Sequence, residues 1–250
     1  MTSLQVLPVR TAGAAENMAG DFLLLQRYPD PGAPRFRHYG WRGSAFTFGY
    51  SQKIAWVRSC LPVEEHVELC RRPTGGGVVD HRHDWTYALV LPRGHPLCDG
   101  RAAESYRVVH AGLAAALRAL GQPAELKKVA AELEPADPDA RPGVPVGRTE
   151  PVPGICFQRA ELYDVVNAAT GAKIAGAAQK RNKHGLLFQG SIERSAVGLL
   201  DWDEFGERFT AALAQACGGE ATPTPWPEFQ EEEVAGLVEQ YASPEWIDQR

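Results

Sequence analysis

Basic charge is in short supply in this chain: 26 Lys and Arg stand against 31 Asp and Glu, a formal net charge of −5. A general nucleic-acid binder would be basic, so none is expected. No apolar run reaches membrane length, and no charged start leads into an apolar core. That pattern predicts neither a membrane span nor a secretory leader, and a cytoplasmic protein. Cysteine is sparse and does not pair by spacing. Cys60, Cys70, Cys98, Cys156 and Cys217 are odd in number and form no CxxC, which fits reduced thiols rather than a disulfide framework. The one glycine triplet is not followed by Gly-Lys-Ser/Thr, which excludes a P-loop. No Gly-x-Ser-x-Gly surrounds Ser191, so a hydrolase elbow is not expected. His81-x-His83-Asp84 lacks the further Cys, His or acid that would complete a ligand set, so no metal site is predicted.

What the chain does have is an ordinary hydrophobic content, 44% over 250 residues, enough to bury the core of one domain covering residues 1–250. Its most unusual stretch is Arg71-Arg72-Pro73-Thr74-Gly75-Gly76-Gly77-Val78-Val79-Asp80-His81. Three consecutive glycines lose more backbone entropy on folding than any other triplet, so a close approach by a ligand or another backbone must require them. Residues 67–72 and Val78-Val79 predict strands on either side, and hence a tight glycine hairpin. Arg71 and Arg72 bring planar forks of donors suited to a carboxylate or phosphate. His81 is expected as a hydrogen-bonding group at the pocket wall.

Taken in order, Leu4, Val6 and Val9 suggest a short edge strand. Met18, Phe22, Leu25 and Tyr28 recur at helical spacing over 16–28, ended by Pro29-Asp30-Pro31-Gly32. Residues 35–41, 45–49 and 85–91 read as strands. The strongest helix spans 101–120, with Tyr106, Val109, Leu113, Leu117 and Leu120 in one stripe and Gly121 as its stop. Residues 134–154 are interrupted by Pro135, Pro138, Pro142, Pro145, Pro151 and Pro153, so a loop is expected there, leading into Ile155-Cys156-Phe157. Residues 162–166 predict a strand. Residues 173–181 and 184–194 predict a hairpin around Asn182-Lys183, with small residues at 175–178 that let a ligand approach the backbone. Asp201 caps a helix over 201–218, and 222–250 form a helical C-terminal extension.

The segment from Arg71 to His81, followed by Asp84-Trp85-Thr86-Tyr87-Ala88-Leu89, resembles the Arg-Arg-x-x-Gly-Gly-Gly-x-Val-x-His segment of the lipoate-protein ligase, octanoyltransferase and biotin-protein ligase superfamily. Glu16-Asn17-Met18-Ala19-x-Asp21 and the stretches from Phe36 to Trp41 and Thr47 to Gln52 are similar to its opening helix, aromatic strand and Gly-x-x-Gln turn. Gly171-x-Lys173-Ile174-x-Gly176-x-Ala178-Gln179 and Gly185-Leu186-Leu187-x-Gln189-Gly190-Ser191-Ile192 are similar to its paired lysine and Gly-Ser/Thr segments. Many relatives carry histidine where this chain has Gln189, immediately before Gly190. The resemblance implies a class II aminoacyl-tRNA synthetase-like biotinyl/lipoyl ligase fold: α+β, with a mixed, mainly antiparallel sheet and flanking helices.

Ile155-Cys156-Phe157 is similar to the cysteine segment of the octanoyltransferase branch. By position, Cys156 is then the acyl-accepting nucleophile and Lys173 holds the acyl carbonyl. Arg72, Thr74, Gly75, Gly76, Gly77, His81, Gly176, Ala178 and Gly190 surround the substrate. The implied reaction moves an octanoyl group from acyl carrier protein through a Cys156 thioester to a lysine of a lipoyl domain. Glycine cleavage H protein and the E2 subunit of 2-oxoacid dehydrogenases are the implied acceptors. A thioester donor needs no cofactor. Three alternatives share the same motifs: ATP- and magnesium-dependent lipoate ligation, octanoyl amidotransfer between lipoyl-domain proteins, and a silent acyl-binding protein. For acidic partners, Lys127-Lys128 and Lys180-Arg181-x-Lys183 offer basic patches. Cys60, Cys70, Cys98 and Cys217 read as small hydrophobes.

Overall fold

A computed structural model of the chain describes residues 3–62, 66–128 and 160–249. The Pro-rich stretch 134–154 and Cys156 lie outside the described residues. In chain order the elements are β1 (Leu4–Val6), β2 (Arg10–Ala12), α1 (Ala14–Gln26), β3 (Arg35–Trp41), β4 (Ala45–Phe48), α2 (Ile54–Ser59), β5 (Glu68–Arg71), β6 (Val78–Asp80) and β7 (Asp84–Pro92). Then come α3 (Pro96–Asp99), α4 (Ala102–Ala119), β8 (Ala124–Leu126), β9 (Val165–Asn167), β10 (Lys173–Asn182), β11 (Gly185–Glu193), α5 (Trp202–Ala216), β12 (Ala221–Pro223), α6 (Glu231–Ala242) and α7 (Pro244–Ile247). No described helix is long and apolar enough to cross a membrane.

Among the described residues, the main sheet runs β12-β1-β3-β7-β11-β10-β9-β8, with β2 beside β3, and a small sheet runs β5-β4-β6. The joins from β3 through to β8 are antiparallel, and those of β1 to β12 and β3 are parallel. The sheet is therefore mixed and mainly antiparallel, with helices packed on it, as the resemblance implies. Successive residues of a strand face opposite ways, and β7 and β11 are buried on both. Trp85, Tyr87, Leu89, Phe188 and Ile192 face one large core with α4 and α5. The other face carries Thr86, Ala88, Gln189 and Ser191, and over it lie α1 and the small sheet. The α4 stripe is buried at Val109, Leu113 and Leu117, and α5 is capped by Asp201, which accepts from the amides of Asp203 and Glu204.

Several sequence expectations change in three dimensions. The glycine run is not a hairpin: β5 lies parallel to β4 on one side and β6 antiparallel on the other, so Gly75-Gly76-Gly77 cross from one edge of the small sheet to the other. Turn residues mark where a chain bends but not what its flanks pair with. β1 is not an edge strand either, because β12 from the far end of the chain covers it. Val9 lies beyond β1 and is 62% exposed. The strand expected over 162–166 starts only at Val165, because Tyr163 takes a left-handed backbone with φ of 66°. Helix in the extension expected over 222–250 begins only at Glu231, with α6, and α7 follows it; α2 carries no strong periodic signal.

Candidate active site

A small cavity of about 40 Å³ opens between the main sheet and the small sheet. Met18 of α1, Tyr39 and Trp41 of β3, and Val79 of β6 give it apolar walls, and Gly176, Ala177 and Ala178 of β10 bring backbone to its surface. Arg72, Gly76, His81, Lys173 and Gly190 also line it. Seven of the sequence-derived site residues thus meet at one place: Arg72, Gly76, His81, Lys173, Gly176, Ala178 and Gly190. Thr74, Gly75 and Gly77 stand behind the lining and shape the loop.

The glycine loop is held by its carbonyls. Tyr50 donates its amide to Thr74 O at 2.8 Å and Gly49 its amide to Gly77 O at 3.3 Å. Gln52 Nε2 donates to Gly76 O at 3.0 Å, and Arg72 Nη2 to both Gly75 O and Gly77 O at 2.9 Å. A Cβ on Gly49 would sit 2.1 Å from Gly76 O, so only glycine lets the loop pass. With the carbonyls of residues 74–77 engaged, the amides of Gly75, Gly76 and Gly77 donate to no group among the described residues. Such amides suit a carbonyl or oxyanion. Arg71 does not take the ligand-facing role expected for it. It is fully buried and donates to the carbonyls of Tyr50, Gln52, Trp246 and Ile247.

Two buried networks hold the walls. In the first, Asp84 Oδ2 accepts from His81 Nδ1 at 2.7 Å, from Thr86 Oγ1 at 2.7 Å and from Ser191 Oγ. Thr86 in turn accepts from Trp41 Nε1 at 2.8 Å, and Trp41 stacks on His81 with ring centroids 4.0 Å apart. Arg72 Nη1 donates to Thr47 Oγ1 at 2.7 Å, and Thr47 meets His81 Nε2 at 2.7 Å. With the His81 proton on Nδ1, donors and acceptors match all the way from Arg72 to Asp84. Burial pushes the Asp84 carboxyl up, but the His81 ring and the three hydrogen bonds outweigh it and hold it below the ordinary value. Ser191 spends its proton on Asp84, a poor arrangement for a nucleophile.

In the second network Gln189 Oε1 accepts from Thr74 Oγ1 at 2.7 Å while its Nε2 donates to Asp21 Oδ2 at 2.6 Å. Asp21 also pairs with Arg37 at 2.6 Å, both side chains at most 3% exposed. Lys173 Nζ lies 2.7 Å from Asp164 Oδ2, again buried. Asp21, Asp84, Asp164 and Thr47 were not visible as site residues in the sequence. Asp21, Asp84 and Thr47 lay inside motif stretches without being singled out, Asp164 lay in none, and only the folded chain brings them to the residues that line the cavity.

Elsewhere, burial first pushes the thiols of Cys70 and Cys217 up to about 12, which suits inert core cysteines. Lys127, Lys128, Lys180 and Lys183 are exposed. Arg181 instead turns inward, donating to Leu97 O and Ser105 Oγ, so the second basic patch is smaller than expected. The described residues hold no cluster of three or more His, Cys, Asp or Glu that could bind a metal.

The cavity thus combines a buried lysine side chain with a residue of the glycine loop in one lining. The chain belongs to the lipoyl protein ligase A/B catalytic domain family, whose model matches residues 13–198. It is 34% identical over 192 residues to Octanoyltransferase LipM of Geobacillus kaustophilus, covering 76% of this chain and 63% of that protein. The matched part therefore spans less than two thirds of that relative. Against Octanoyltransferase LipM of Exiguobacterium sp. the identity is 28%, with 100% of this chain and 99% of the relative covered. The fold matches that of a bi-partite lipoate protein ligase from Thermoplasma acidophilum, with a TM-score of 0.70 at 18% identity and coverage of 100% and 98%.

Proposed function

We propose that this protein is an octanoyltransferase of protein lipoylation that works through a Cys156 thioester. The observation that supports the proposal is the cavity, whose lining brings Lys173 and Gly76 together with the apolar Met18, Tyr39, Trp41 and Val79. The names of relatives at about a third identity support the same activity. The Cys156 thiolate attacks the carbonyl of an octanoyl thioester on acyl carrier protein, and the carrier's thiol leaves with a proton. The ε-amine of a lipoyl-domain lysine, on an H protein or E2 subunit, then attacks the acyl-enzyme. An amide forms and the Cys156 thiol is released. Both steps pass through an oxyanion, which the glycine amides and the Lys173 ammonium stabilise. Arg72 acts on the substrate indirectly, by shaping the loop.

The donor is already activated, so no ATP enters the balance. Incubation of the protein with octanoyl-acyl carrier protein and apo-lipoyl domain, without nucleotide, should give octanoylated lipoyl domain. If product forms only from free acid with ATP and magnesium, the ligase alternative replaces this one. If it forms only from an octanoylated H protein, the amidotransferase does.

A further inference from the structure

The geometry points to Asp164 as the positioning residue of Lys173, holding its ammonium over the cavity floor. This rests on the role proposed for Lys173, and it deepens that role.

Three independent features converge on the pair. Lys173 Nζ is 2.7 Å from Asp164 Oδ2, with the two side chains 6% and 7% exposed. Gly176, which lines the cavity, has no room for a side chain: a Cβ there would meet Lys173 Cε at 2.6 Å, Nζ at 2.7 Å and Asp164 Oδ1 at 3.2 Å. The ion pair therefore lies flat on the Gly176 backbone, at the edge of the pocket. Asp164 itself is fixed from several sides. Its amide donates to Glu161 O at 3.0 Å, its carbonyl accepts from the Lys127 amide at 2.7 Å, and its Oδ2 accepts from the Glu161 amide at 2.7 Å. The preceding residue, Tyr163, has φ of 66°. A bulky side chain in the left-handed region costs free energy and persists only when its surroundings hold it there. Here the holders are Lys127, whose carbonyl accepts the Tyr163 amide at 2.9 Å, and the buried His110, whose Nδ1 donates to Tyr163 O at 2.6 Å. The strain and its supports set the direction of one carboxylate, and that carboxylate sets the place of Nζ.

A turn-forming aspartate with no other role would show the same local bonds, and Asp164→Asn separates the two. The amide oxygen of asparagine still accepts the Glu161 N–H, so the turn survives, while the charge that holds Lys173 is gone. Gly176→Ala displaces Lys173 from the other side, with a lesser contact to Asp164 Oδ1, and leaves the Asp164 charge in place. Two measurements are made on each variant and on the unmodified protein. The first is the rate at which trinitrobenzenesulfonate labels Lys173, read by peptide mass spectrometry, which does not depend on any activity. The second is the rate and donor KM of octanoyl transfer. Both variants should label several-fold faster at Lys173 than the unmodified protein. Both should lose kcat by about 100-fold, the usual effect of an ångström-scale misplacement, with donor KM changed little. Asp164→Glu should recover part of the rate. Unchanged labelling and unchanged kcat in Asp164→Asn, with the melting temperature preserved, would overturn the assignment. So would a defect confined to the melting temperature. Absence of transfer in the unmodified protein would defeat the octanoyltransferase proposal instead, while the labelling result would still decide whether Asp164 holds Lys173.

Discussion

Thr74 Oγ1 donates to Gln189 Oε1 across 2.7 Å, and both side chains are buried. Through this bond the glycine loop of the small sheet is tied to the central strand β11 of the main sheet. Thr74→Val keeps the shape and removes the donor, which leaves the Gln189 oxygen buried and unsatisfied. The expected cost is about 1–2 kcal/mol, or a few degrees in melting temperature. A thermal scan indistinguishable from the unmodified protein would show that the bond contributes nothing.

Much of this was legible in the sequence, for reasons that stop at the same point each time. The helices α4 and α5 were marked by apolar stripes, a stop at Gly121 and a cap at Asp201, and the β10–β11 hairpin by a turn expected around Asn182-Lys183, which falls one residue on at Lys183-His184. These signals are local. Pairing between distant strands is not, so the glycine run read as a hairpin when it is a crossover, and β12 went unseen. The site divides in the same way. Glycines and small residues at 75–77, 176 and 178 stood out because their use is costly, and seven expected residues do meet in the cavity. Asp84 becomes meaningful only when β7 is laid beside β11, and Asp164 only when β9 is laid beside β10. Cys156 lies outside the described residues, so its part rests on resemblance and chemistry.

Gly190 faces Tyr87 of the neighbouring strand, and an added Cβ would come within 2.2–2.4 Å of that ring. Tyr87 is fully buried against Phe188 and Phe209 and cannot swing away. Gly190→Ala should therefore overpack the core, costing about 1–3 kcal/mol in urea unfolding. A neutral result would mean that the tyrosine has space the contacts do not show.

Burial holds the fully buried His110 imidazole below its ordinary value of 6.5, despite the nearby Asp164 and the Tyr163 carbonyl. The unfolded chain consequently takes up the proton first as pH falls. The stability linked to His110 is present above pH 6.5 and is lost as pH drops toward the depressed native value. His110→Gln removes this linkage, so its unfolding free energy should fall less between pH 7.5 and 5.5 than that of the unmodified protein. Parallel pH dependences would contradict the buried neutral state.

Arg71 is completely buried, and its guanidinium bridges the carbonyls of Tyr50 and Gln52 to those of Trp246 and Ile247. A lysine has no planar fork to reach both sides. Arg71→Lys should lose roughly 2 kcal/mol or more and loosen α7, seen as faster amide exchange over residues 245–248. Exchange unchanged there would mean that α7 is held by its other contacts alone.

The central claim is that acyl transfer passes through Cys156. Intact mass spectrometry of the protein after incubation with octanoyl-acyl carrier protein, without ATP, tests it beside a Cys156→Ala variant. The expected result is one octanoyl adduct on the unmodified protein, removable by hydroxylamine, and none on the variant. An equal adduct on both, or transfer to a lipoyl domain that persists undiminished in Cys156→Ala, would contradict the account.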